Sequence, residues 1–98
     1  MNYTLHQLRV FLKVTEFQSV TKAAEELYLT QPAVSIQLKK LQDQFDLPLT
    51  EIVGRQLYVT DFGREIAERS KRILEEADAI KYTADRYKGL LTGKSTFL

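Results

Sequence analysis

Gln31, Ser35, Ile36 and Lys39 bring an amide, a hydroxyl, an aliphatic side chain and an ammonium group onto one short stretch of the chain, "TQPAVSIQLKKL". These are the groups that read base edges in a nucleic-acid groove. A glutamine bonds adenine bidentately, a serine pairs with several bases, and an apolar side chain meets a thymine methyl. With Val34 as the inward reference, Ser35 lies about 100° round a helix and Ile36 about 200°. Gln31, Pro32, Ser35, Ile36 and Lys39 then share the face turned from the core. Lys39 and Lys40 lie further along, within reach of phosphates. Thr30 caps the stretch, and a helix N-terminus with free N–H groups is itself an anion site. A plainer account also fits. Any three-helix bundle has a polar outer face, and Ile36 can be one of the scattered apolar surface residues that need no explanation. Catalysis finds little to build with, since the chain has no cysteine and one histidine, His6, read as an ordinary helix residue. No metal set and no cofactor is implied.

The elements that must hold these residues follow from periodicity. Leu5, Leu8, Phe11, Leu12 and Thr15 predict a first helix over about Thr4–Phe17, with Thr4 as its cap. Ser19 caps a second helix, about Val20–Leu27, although Lys22 three places on leaves the capping box incomplete. Its inner face is Ala23, Ala24 and Leu27, small enough for another helix to come close. The third helix carries Pro32 in its first turn, where a missing N–H costs nothing. It buries Val34, Leu38, Leu41 and Phe45 and ends near Phe45-Asp46, ahead of Pro48. Two helices joined by so short a turn form a helix-turn-helix. Leu49–Val53 and Gln56–Val59 read as short strands, with Gly54-Arg55 as a two-residue hairpin turn, Gly first. Arg55 at the tip is a candidate minor-groove or phosphate contact, with simple solvation an equal alternative.

Thr60-Asp61 caps a long helix from Phe62 to about Leu91. Along it Ile66, Ser70, Ile73, Ala77, Ile80, Ala84, Tyr87 and Leu91 step by alternating fours and threes. That is a heptad seam, and it predicts a homodimer through this helix. Gly89 and Gly93 mark its end. The expected division is therefore 1–60 as a head, 61–91 as a dimerisation helix and 92–98 as a tail.

The 98-residue chain carries a formal net charge of +1. Over residues 1–60 six Lys/Arg are balanced by six Asp/Glu, so no strongly basic footprint exists and a nucleic-acid function must rest on where the charges sit. That neutrality favours the rival account, a protein-interaction module that dimerises through its long helix. No apolar run approaches the roughly 18 residues of a membrane span, and no signal-peptide core opens the chain. A cytoplasmic location is the expectation.

"AAEELYLTQPAVSIQLKKL" followed by "LPLTEIVGRQLYVTDFG" resembles the amino-terminal domain of LysR-type transcriptional regulators. The resemblance runs from about Tyr3 to Leu91. It rests on Ala23-Ala24, on Thr30-Gln31-Pro32-Ala33-Val34-Ser35, and on Val59-Thr60-Asp61-Phe62-Gly63. It implies a mainly α fold, a winged helix-turn-helix of three helices and a β-hairpin wing, followed by a long dimerisation helix. It implies sequence-specific binding of double-stranded DNA by a dimer, on an interrupted inverted repeat, to regulate transcription. Thr30, Gln31, Pro32 and Ser35 stand where the family's recognition-helix contacts lie, and Arg55 stands at its wing arginine. The family also implies a carboxy-terminal effector domain. The chain ends where that domain is expected to begin, so the expectation is a stretch without its effector domain, with a small-molecule effector concerning only a full-length protein. Asp46 replaces a usual Gly, so a left-handed turn there would rely on Asp's tolerance of positive φ. Thr50 replaces a usual Phe and Ile52 a usual Arg, which removes one expected phosphate contact. Phe62 replaces a usual Ala where the long helix begins.

Overall fold

The structure, a computed structural model, describes residues 2–92. Its elements in chain order are α1 (Leu5–Phe17), α2 (Val20–Leu27), α3 (Gln31–Gln42), β1 (Thr50–Val53), β2 (Gln56–Val59) and α4 (Asp61–Thr92). The fold is mainly α, with a two-stranded antiparallel hairpin as the wing. Residues 93–98 of the expected tail, Gly93 among them, and the Leu91 side chain lie outside the described residues. Thr92 is still helical, so α4 runs one residue past its expected end.

Each helix begins where a hydroxyl can accept from an orphan backbone N–H. Thr4 accepts from Gln7, Ser19 from Lys22, Thr30 from Ala33 and Thr60 from Gly63. At α1 the Gln7 side chain also accepts from the Thr4 N–H, closing a full capping box. Gln18 and Tyr28 close α1 and α2 in the left-handed conformation, at φ 48° and 57°. Both stand where glycine is more usual.

α1 is the centre of the head. On one side Val10 and Val14 pack with Ala23, Ala24, Val34, Leu57 and Val59, drawing α2, α3 and the wing together. On the other, Leu8 and Phe11 pack with Leu41, Leu49, Ala67 and Leu74, which seats α4. Leu38 serves both clusters. A helix held between two layers buries two stripes. The single face expected from Leu5, Leu8, Phe11, Leu12 and Thr15 is therefore corrected: Val10 and Val14 are fully buried, and Leu5 is 46% exposed.

Two boundaries, the end of α3 and the start of β1, differ from expectation. α3 ends at Gln42, three residues early, and the chain winds on through hydrogen bonds from Gln44 N to Leu41 O and from Phe45 N to Gln42 O. These close three-residue steps, a tighter turn than the α-helix. Asp46 is not left-handed; the only described non-glycine residues with positive φ are Gln18, Tyr28 and Arg55. β1 begins at Thr50 because the Leu49 N–H donates to Gln42 Oε1 at 2.5 Å and its carbonyl accepts from Thr60 N at 3.1 Å. In the hairpin turn Gly54 and Arg55 both have positive φ, 55° and 69°, so the turn is of the I′ kind and is not set by glycine alone.

Candidate nucleic-acid interface

Three residues, Tyr28, Leu29 and Thr30, separate α2 from α3. Leu29 turns inward onto the Val10–Val34 cluster, while Tyr28 is 95% exposed. Thr30 is extended, at φ −79° and ψ 157°, so α3 starts abruptly, and Pro32 fixes its first turn. Inward anchorage by Val34 and Leu41, both fully buried, sets the helix's rotation. Gln31, Pro32, Ser35, Ile36, Lys39 and Lys40 are all exposed as a result, Ile36 by 53%.

The surroundings of Gln31 define the face. One groove is lined by Ser19, Thr21 and Lys22 of the start of α2, by Gln31, and by Ile52 and Arg55 of the wing. Two helix starts and the wing tip thus open on one side of the head. Neither α2 nor α3 carries an acidic residue in its first turn, so the partial positive charge of both N-termini stands uncompensated. Glu16 reaches the same groove but is paired with Lys13 at 3.3 Å. A head with no net charge therefore presents an anion-favouring face through arrangement. Lys39 is paired with Asp43 at 3.3 Å, both side chains being exposed, while Lys40 has no carboxylate against it among the ion pairs of the described residues.

Ile52 projects on the groove side of the wing, 66% exposed, across from Leu57 in the ladder. Thr21 was not singled out from the sequence. Its hydroxyl accepts from Gln31 Nε2 at 2.6 Å, a bond between residues ten apart that no periodicity announces. The exposed N-terminus of α2, free of acidic residues, was the available hint.

Behind this face the junction to α4 is tightly built. Thr60 Oγ1 donates to Pro48 O at 2.7 Å, and Arg64 Nη1 donates to Val59 O at 3.0 Å. Arg64 also pairs with Asp61. Phe62 meets Phe45 edge to face, with ring centroids 5.6 Å apart. At Gly63 a Cβ would lie 2.1 Å from the Leu49 carbonyl oxygen.

The seam residues of α4 divide into two groups. Ile66 is half-buried against the head, and Ser70 is 1% exposed, its hydroxyl donating to Ile66 O at 2.7 Å. Both face this protomer's own core. Ile73, Ile80, Ala84 and Tyr87 are exposed and Ala77 is half-buried, leaving an open apolar stripe on the outer part of the helix.

Residues 5–64 match the family of bacterial regulatory helix-turn-helix proteins called the lysR family. This chain belongs to that family. The matched residues run from the start of α1 into the first turn of α4 and so include the helix-turn-helix and the wing. The HTH-type transcriptional activator CmpR of Synechocystis sp. is 42% identical over 92 residues, which is 94% of this chain and 30% of that protein. The chain thus spans under a third of that relative's length. The crystal structure of the BenM DBD in complex with catB site 1 DNA superposes with a TM-score of 0.81 at 30% identity, covering 87% of this chain and 96% of that one. Full-length CbnR in complex with its target DNA gives a TM-score of 0.74 at 29% identity, covering 88% and 29%. No described helix is long and apolar enough to cross a membrane.

Proposed function

We propose that residues 1–60 form the DNA-reading head and residues 61–91 the dimerisation helix of a LysR-type transcriptional regulator. The dimer binds an interrupted inverted repeat in double-stranded DNA. α3 enters the major groove by its N-terminus, with Gln31, Ser35 and Ile36 toward base edges. Thr30 and Pro32 shape that entry, and Lys39 and Lys40 meet phosphates. Arg55 reaches the flanking backbone or minor groove. Pairing runs along Ile73, Ala77, Ile80, Ala84 and Tyr87, with Ile66 and Ser70 supporting the base of the helix from within each head. The protein is a binding module with no catalytic function and resides in the cytoplasm. A small-molecule effector belongs to a carboxy-terminal domain of a full-length protein.

The observation that carries this proposal is the single groove shared by Gln31, the start of α2 and Arg55. An amide, two helix N-termini without acidic residues in their first turns and a guanidinium on one face support this reading. The zero charge of residues 1–60 favours the alternative of a protein-interaction module. Duplex binding by fluorescence anisotropy across a salt series separates the two. Affinity should fall about a thousandfold or more between roughly 50 and 200 mM salt, as the release of condensed counterions requires for six or more phosphate contacts. Absent or salt-insensitive duplex binding supports the interaction module.

A further inference from the structure

We infer that Thr21, on α2 and outside the recognition helix, is the positioning residue that orients the Gln31 amide for base recognition. The inference rests on the DNA-binding function proposed above and adds a determinant of its specificity. Gln31 is the first residue of α3 and Thr21 the second of α2, and a 2.6 Å hydrogen bond from Gln31 Nε2 to Thr21 Oγ1 spans the turn between them.

A glutamine side chain has rotatable bonds to spare, and this one stands on an exposed face. Left free, it would sample orientations in which its donor and acceptor exchange places against a base. The bond to Thr21 fixes one. A glutamine amide offers two N–H donors and one carbonyl acceptor. With one N–H held by Thr21, one N–H and Oε1 remain, and these are the donor and acceptor that the N7 and N6 edge of adenine complements. The Thr21 hydroxyl acts as acceptor in this bond and so ties the start of α2 to the amide at the start of α3. A bond made only to hold the two helices together would not need the base-reading residue as its partner. Ala23, Ala24 and Val34 already pack α2 on α3 in the core.

The test compares the whole chain with Thr21→Val, Thr21→Ser, Gln31→Ala and Thr21→Val/Gln31→Ala. Each is titrated against a duplex selected from a random pool, against the three variants of that duplex at the position that Gln31→Ala relaxes, and against an unrelated duplex. Thr21→Val keeps the shape and removes the hydroxyl. It should lower discrimination at that position about tenfold, within the range one bidentate contact provides. Thermal stability and affinity for the unrelated duplex should stay close to wild type. Thr21→Ser should restore most of the discrimination, and Thr21→Val should change nothing further once Gln31 is alanine. If Thr21→Val leaves the discrimination intact, lowers all duplexes equally, or adds its full effect to that of Gln31→Ala, Thr21 does not position Gln31. A wild-type chain that shows no salt-dependent duplex binding overturns the DNA-binding function itself, and the inference with it.

Discussion

Gly63 admits no other side chain without moving backbone. A Cβ there would meet the Leu49 carbonyl oxygen at 2.1 Å and Val59 Cγ1 at 2.9 Å, and that oxygen is already committed to Thr60. Gly63→Ala should therefore destabilise the head by about 1–3 kcal/mol, the usual cost of overpacking, measured by urea denaturation; a variant with an unchanged midpoint would mean that the junction yields easily. Lys39 makes a different kind of prediction. Its ion pair with Asp43 is exposed and weak, yet it competes with any phosphate for the ammonium group. Lys39→Ala should weaken binding to all duplexes alike and reduce the salt slope by about one for each protomer bound. Asp43→Asn should tighten binding to all duplexes, and anisotropy titrations read both. Opposite signs are the point: if Asp43→Asn weakens binding, Asp43 is holding Lys39 in place for the phosphate. The hydroxyl caps and the outward residues of α3 were legible in the sequence because each depends on neighbours within four positions. The Gln31–Thr21 and Lys39–Asp43 bonds were not. The first crosses a turn, and the second is one of several pairings open to a lysine on a mixed surface.

Among the elements, the order of helices and hairpin was readable throughout, because each carries its own period and its own cap. What failed was the number of faces a helix buries. α1 shows one stripe to a periodicity search but lies between two layers, so Val10 and Val14 were missed. α4 shows one continuous heptad seam, but its first turns seat on the head through Ala67 and Leu74, and Ser70 is buried there with them. Sequence spacing cannot tell a stripe that faces the same chain from one that faces another copy. The outer stretch from Ile73 to Tyr87 is open, which makes it the part to test. Ile73 is 40% and Ile80 72% exposed, and neither belongs to the buried core of the head. Ile73→Asp/Ile80→Asp should bury unpartnered charges in a dimer at a cost of several kcal/mol. A monomer by light scattering, with helicity retained, is the expected result. A double variant that stays dimeric would put the contact elsewhere.

On the scale of the whole molecule, a chain with balanced charge places its anion-favouring groups on one face and its open apolar stripe on a separate arm. α4 has 32 residues, about 48 Å at 1.5 Å per residue, enough to hold two heads at the roughly 34–36 Å between successive major-groove faces. Two-fold symmetry then demands two identical half-sites in inverted order. A·T-rich flanks should strengthen binding, because a narrow minor groove attracts Arg55. The spacing between half-sites is where the head, the wing and the arm must all be right at once. The decisive measurement is a gel-shift series on a selected inverted repeat whose central spacer is lengthened by about five base pairs, half a helical turn. This carries one half-site to the opposite side of the duplex. Affinity is expected to fall to that of a single half-site. Equal binding to the lengthened site would contradict a dimer whose heads are held at a fixed separation by their long helices.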